Sequence, residues 1–250
     1  MANPHVWPQL HFYPEDLGKQ LSEAFQARRW LKEMDLTQLT PMIHLQNQDF
    51  FIFGPTLLSS GQACMPIRWF QCGGLFFTKA WPLQAAANDM GSGWIVEGYN
   101  EIEVSQRDLL VSFMNWGISQ STSMLPPAHN IIGMFLFYLS MFILIDILVI
   151  KRSCQVGLPL EPWSLTNPHE GNPWHVHVKG ACVYSFPIWL YCDDTSGNLS
   201  KWWNKHNFFL FTPAGLPCAA VHQEYNVHFL CTSNTAPPLE MLDGFVNQLE

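Results

Sequence analysis

A chain of 250 residues with 48% hydrophobic side chains can close a core, which excludes a disordered chain and allows one large domain or two small ones. Its formal charge of −8, from twelve basic and twenty acidic residues, excludes nucleic-acid binding driven by overall charge, because that affinity comes mainly from neutralising phosphates. Seven cysteines without a C-x-x-C pair argue against a closed disulfide framework and suit a reducing compartment, while a charged share of only 13% leaves aromatic area at the surface.

The first residues lack a basic stretch followed by an apolar one, so no secretory signal is predicted, and the sequon Asn198-Leu199-Ser200 reads as chance. From Pro14 to Asp35 the residues Leu17, Leu21, Ala24, Phe25, Ala27 and Leu31 fall at helical spacing, with Pro14 suited to a first turn. This predicts an amphipathic helix with Arg28 and Arg29 on a solvated face. The runs "DFFIFGP", "MPIRWF", "GGLFFTKAWPL" and "GWIVEGYNEIEV", broken by Gly and Pro, predict a small antiparallel sheet. In "SQRDLLVSFMNWG", Ser105 and Asp108 have capping-box spacing and Gly117 supplies a stop, which predicts a short helix. Residues 117 to 130, rich in Ser and Pro, read as a linker.

The run "IIGMFLFYLSMFILIDILVI", residues 131–150, has the length needed to cross a hydrocarbon core of about 30 Å. Three readings stay open: a membrane helix with Lys151 and Arg152 placing the C-terminal half in the cytosol, a buried core helix, or a translated intron. A Pro-rich connector over 156–174 leads to the strand-like runs "ACVYSFPIWLYC", "HNFFLFTPAGL" and "YNVHFLCTS". The closing "APPLEMLDGFVNQLE" has helical spacing. The predicted fold is therefore α+β: a helix-and-sheet module over 1–117, a linker over 118–174 containing the apolar helix 131–150, and three strands and a helix over 175–250.

Asp193 and Asp194 stand where the first of these last strands is expected to end, in a position taken to be buried. Either they hold divalent metal, since hard carboxylate oxygens suit Mg²⁺ or Mn²⁺ in phosphodiester chemistry, or they cap backbone amides in an ordinary turn through Thr195 to Asn198. Composition favours the turn. His175 and His177 would share one face of a strand and, with His169 or Cys182, could bind zinc, though paired ligands at tight spacing are missing. Cys192 with His206 as base would need an electropositive setting that the neighbouring carboxylates deny. Trp189, Trp202 and Trp203 fit a core better than a base-stacking platform.

The segments "NPW", "FPIWLYCDDTSGNLSKWWNKHNFFLFTPAGLP", "QEYNVHFLCTSN" and "PLEMLDG" resemble the transposase-like open reading frames of mushroom-forming fungi, of the CACTA, Plavaka and Kyakuja-Dileera-Zisupton kinds. The resemblance runs over about 160–250 and continues more faintly through "PIRWFQCGGLFFTKAWPLQ" and "GWIVEGYNEIEV". It implies a ribonuclease H-like unit, beginning with three strands and a helix, in which Asp193 of Asp-x-Thr is the first metal ligand, Asp194 the second choice, and Gly215 to Pro217 a structural turn. It also implies Mg²⁺ or Mn²⁺ as cofactor, DNA as partner and a nuclear location.

Three departures accompany this resemblance. The later acidic residues of such a core are not found, Trp202 and His175 stand where the family pattern is basic, and the run 131–150 is foreign to it. The expectation is a fragment or decayed copy of a DNA transposase, inactive by itself. The alternative is a single-pass membrane protein held by 131–150, with a non-catalytic cytosolic C-terminal domain.

Overall fold

The computed structural model describes residues 4–18, 21–88, 91–135, 160–178, 180–196 and 205–248. They form two compact units, one of residues 34–185 and one made of 1–33 with 186–250. The fold is a mixed α+β one with several sheets and few helices.

The unit 34–185 opens with a hairpin of β1 (Met42–Leu45) and β2 (Gln48–Phe51). Its two turn residues, Gln46 and Asn47, both have positive φ (50° and 62°), the handedness that matches the twist of paired strands. The main sheet contains seven strands: β3 (Thr56–Leu58), β4 (Ala63–Cys72), β5 (Leu75–Asn88), β6 (Gly91–Glu97), β7 (Ile102–Ser105), β8 (Leu109–Val111) and β9 (Ile131–Phe135). Their order is β8-β3-β4-β5-β6-β9, with β7 also on β5. Gly73 and Gly74, at φ 56° and 77°, make the tight turn between β4 and β5. Residues Ala63 to Phe70 of β4 are all buried, so the strand reads as a continuous run and not as an alternation. Arg68 within it is accommodated by donating to the Met34 carbonyl at 2.9 Å.

This sheet is larger than the small one predicted, and its β6–β9 pair is parallel. The apolar run 131–150 therefore does not begin as a helix: Ile131–Phe135 find backbone partners from Trp94 to Glu97 and enter the sheet. Residues 136–150, the remainder of that predicted helix, lie outside the described residues. No helix among the described residues is long and apolar enough to cross a membrane.

The short helix predicted around Ser105–Gly117 is replaced by 3-10 turns at Gln106–Asp108 and Phe113–Asn115 with β8 between them. Ser105 does accept a bond from the Arg107 N–H at 3.3 Å. Pairing with β3 then buries Leu109 and Val111, and a helix of so few residues has nothing comparable to offer.

The segment 117–130 is packed, not loose. The indoles of Trp94 and Trp116 both donate to the Pro126 carbonyl, at 3.3 and 3.1 Å, and Thr122 and Ala128 are buried. The Pro-rich connector ends equally firmly: Asn172, buried, donates to the Ile52 carbonyl at 3.1 Å and accepts from the Trp174 N–H at 3.0 Å, starting helix α1 (Trp174–Val178). The expected module boundary at 117 thus lies inside one compact unit.

In the unit of 1–33 and 186–250, the amphipathic helix predicted from Pro14 to Asp35 is not formed. A 3-10 turn at Ala24–Gln26 and one π turn at Arg29–Glu33 take its place. The buried Gln26 carboxamide accepts from the Ser22 and Glu23 N–H groups, at 2.9 and 3.1 Å, and donates to Glu15 at 2.9 Å. A side chain that binds local amides in this way offers the backbone an alternative to helix, and Gly18 at φ 75° turns the chain before it.

The C-terminal order is the one predicted: β10 (Ile188–Ser196), β11 (Lys205–Pro213) and β12 (His228–Ser233) form an antiparallel meander, followed by α3 (Pro238–Val246), with a short α2 (Cys218–Val221) between β11 and β12. After β11 the Gly215 carbonyl accepts from the His11 N–H at 2.8 Å. A Cβ on Gly215 would stand 2.1 Å from the His11 oxygen, so this close approach requires glycine.

Candidate functional site

Asp193 and Asp194 lie within β10 and not at its end, because β11 goes on supplying ladder partners as far as Ser196. Asp193 is opposite Phe208 and Asp194 opposite Asn207. The strand is not buried either: both carboxylates are exposed, and Trp189 and Tyr191 are 48% and 49% exposed. Trp189 is therefore not the core residue that composition favours.

Alternation along β10 puts Trp189, Tyr191 and Asp193 on one face and Leu190, Cys192 and Asp194 on the other. The two carboxylates cannot close on a single ion from such positions. Asp193 accepts the Asp194 N–H at 2.7 Å, a local contact of side chain to backbone. In the neighbouring row, Asn207 donates to the Ala236 carbonyl at 3.3 Å and the Ser233 hydroxyl accepts from the Ala236 N–H at 2.8 Å, which ties the approach to α3 to this end of the sheet.

Among the described residues no group of three or more His, Cys, Asp or Glu side chains could hold a metal ion. Mg²⁺ and Mn²⁺ call for about six oxygen ligands, so Asp193 offers one ligand and not a site. The described residues do not fit a two-metal centre.

The histidine set predicted for zinc is dispersed. His175 and His177 belong to α1, not to a strand, so they no longer share a face. The His175 ring packs against Phe51 and Phe113, with centroids 4.2 and 5.5 Å away, and both ring nitrogens are buried without a hydrogen-bond partner among the described residues. Burial pushes its pKa down from 6.5 to about 4, against a smaller opposing effect of Asp49. His177 has its Nδ1 2.8 Å from the Pro173 carbonyl, and His169 stacks on His129 at 4.8 Å. Cys182 is exposed.

The pair Cys192 and His206 also separates: Cys192 is opposite Phe209 and His206 opposite Thr195, three ladder positions away and on the other face. Arg28 is exposed and reaches Glu33 at 3.4 Å. Trp202, Trp203 and the sequon Asn198-Leu199-Ser200 lie outside the described residues.

The residue that sequence reasoning missed is Gln48, whose carboxamide bonds the Leu110 carbonyl of the edge strand β8 and the Ser112 N–H just after it. A glutamine between two short apolar runs carries no local signal of such a role.

The family model described as "Domain of unknown function (DUF8591)" matches residues 42–184. The chain belongs to this family. The DUF8591 match spans β1 to β9 and α1 and falls within the unit 34–185, whereas Asp193 and Asp194 lie beyond it. No curated protein and no solved structure matches the chain.

Proposed function

We propose that residues 186–250 are the remnant of a metal-dependent DNA strand-transfer unit of the transposase type, following a DUF8591 domain, with Asp193 its surviving ligand for Mg²⁺ or Mn²⁺. The observation that carries this reading is the antiparallel meander β10-β11-β12 followed by α3, with an exposed carboxylate on the first strand. A ribonuclease H-like unit begins with that order of elements, and the resemblance of "CDDTSGN" and "AGLP" to fungal transposase-like frames supports the same assignment.

Catalysis of strand transfer needs several carboxylates around two metals. Asp193 and Asp194 face opposite sides, no third ligand joins them among the described residues, and a formal charge of −8 repels a polyphosphate. The chain by itself is therefore a non-catalytic remnant.

Incubating the purified chain with Mn²⁺ or Mg²⁺ and a nicked duplex is expected to yield no strand transfer. Titrated Mn²⁺ should broaden amide signals around Asp193 weakly, and Asp193→Ala should abolish that broadening. Cleavage lost in Asp193→Ala would overturn the inactivity, and broadening that ignores Asp193 would overturn its assignment as a ligand.

A further inference from the structure

The strand β8 ends the main sheet. Its inner edge pairs with β3 through Leu57 with Val111 and Leu58 with Leu109, so the Leu110 carbonyl and the Ser112 N–H face the outer edge. Gln48 meets both: its Nε2 donates to the Leu110 carbonyl at 3.1 Å and its Oε1 accepts from the Ser112 N–H at 3.0 Å. One N–H given to the residue before Val111, and one carbonyl accepting from the residue after it, is the bonding of a single residue in a parallel ladder. The side-chain amide of Gln48 thus stands in for the N–H and C=O of one residue of a parallel strand.

A cavity of about 300 Å³ opens at this edge, lined by Gln48, Leu110, Val111, Asn115, Ile118 and Ser119 among others. Its volume is at the small end of ligand cavities. Leu110 and Ile118 are 41% and 83% exposed, which leaves apolar area for a bound side chain to cover. None of its lining residues is ionisable, although the chain as a whole is acidic. A charged segment would lose hydration there without gaining a partner, whereas an uncharged one matches the lining.

We propose that this edge binds a short, extended, uncharged peptide segment of a partner protein, which adds parallel to β8, lays an apolar side chain across Leu110 and Ile118, and takes over the two backbone bonds now held by Gln48. Bonds are exchanged and not lost, so the gain comes from the covered apolar area. The site lies in the DUF8591 match and is independent of any role of Asp193.

The test uses the full chain, ¹⁵N-labelled, titrated with a panel of capped, uncharged pentapeptides alternating Val with Thr or Leu with Ser. Saturable shifts are expected at the Leu110, Ser112 and Ile118 amides, about tenfold tighter in Gln48→Ala, which removes the competitor, and about tenfold weaker in Ile118→Asp. Ser112→Pro should abolish them, since φ at Ser112 is −81° and already suits proline while the edge N–H disappears. Should Gln48→Ala fail to fold, Ile118→Asp, at a position 83% exposed, still decides the matter. The proposal is overturned if no peptide shifts these amides, if Ser112→Pro or Ile118→Asp binds as the unaltered chain does, or if free acetamide reproduces the shifts.

Discussion

Trp69 and Trp189 both sit inside strands rich in apolar residues, yet Trp69 is 1% exposed and Trp189 48%. The first belongs to β4, which has β3 on one edge and β5 on the other. The second belongs to β10, which among the described residues pairs only with β11 and keeps both faces in contact with solvent. An apolar strand pattern reports a backbone preference and a wish for cover, and whether cover arrives depends on the elements around it. In the unit 34–185 it arrives on both faces of β4. In the other unit it does not reach β10, which leaves Trp189 and Tyr191 together on one exposed face, the kind of apolar area that marks a surface for interaction.

The contrast can be broken most directly at Trp69. Trp69→Ala should destabilise the unit 34–185 by about 4 kcal/mol, read as a fall in the urea midpoint followed by near-ultraviolet circular dichroism. Gly215→Ala tests whether the second unit has a rigid part of its own: a methyl 2.1 Å from the His11 oxygen should cost about 3 kcal/mol and speed proteolysis around His11.

Acidification should act through His175. Its folded pKa of about 4 lies below the unfolded value of 6.5, so the unfolded chain takes up the proton first. Stability is therefore full above about pH 6.5, falls as the pH drops towards 4 and levels off below it. With the ring only partly shielded, the loss amounts to about 1–2 kcal/mol, and His175→Phe should remove this part of the pH dependence of the urea midpoint. Trp189→Ser closes the series: a side chain this exposed should change stability by less than about 0.5 kcal/mol, and a larger loss would show that β10 is covered after all.

Turn chemistry was legible in the sequence wherever one residue's backbone preference decided the outcome. Gly73 and Gly74 mark the β4–β5 turn, and the two prolines before Leu239 mark the start of α3. The helix predicted from Pro14 to Asp35 failed because periodicity ignores a side chain such as Gln26 that captures the local amides. The packing of 117–130 escaped for a related reason: Ser and Pro signal irregular backbone, and irregular backbone packs well when two indoles find the Pro126 carbonyl.

Of the candidate site, the sequence showed the carboxylates but not their placement. Adjacent aspartates in a turn could point together, whereas in a strand they must point apart, and only the β10–β11 register shows which holds. The edge bonding of Gln48 and the packing of His175 between two phenylalanines were hidden for the same reason, since they depend on partners 62 residues or more away in the chain.

By itself, then, the sequence determined the α+β class, the order of three strands and a helix at the C-terminal end, and the glycines that let the chain turn, because these rest on local preferences and apolar spacing. The tertiary structure alone decided that residues 131–135 join a sheet, that β10 lies exposed while β4 is buried, and that Gln48 completes the edge of β8. Each of those outcomes depends on contacts between residues far apart in the chain, which no local pattern encodes.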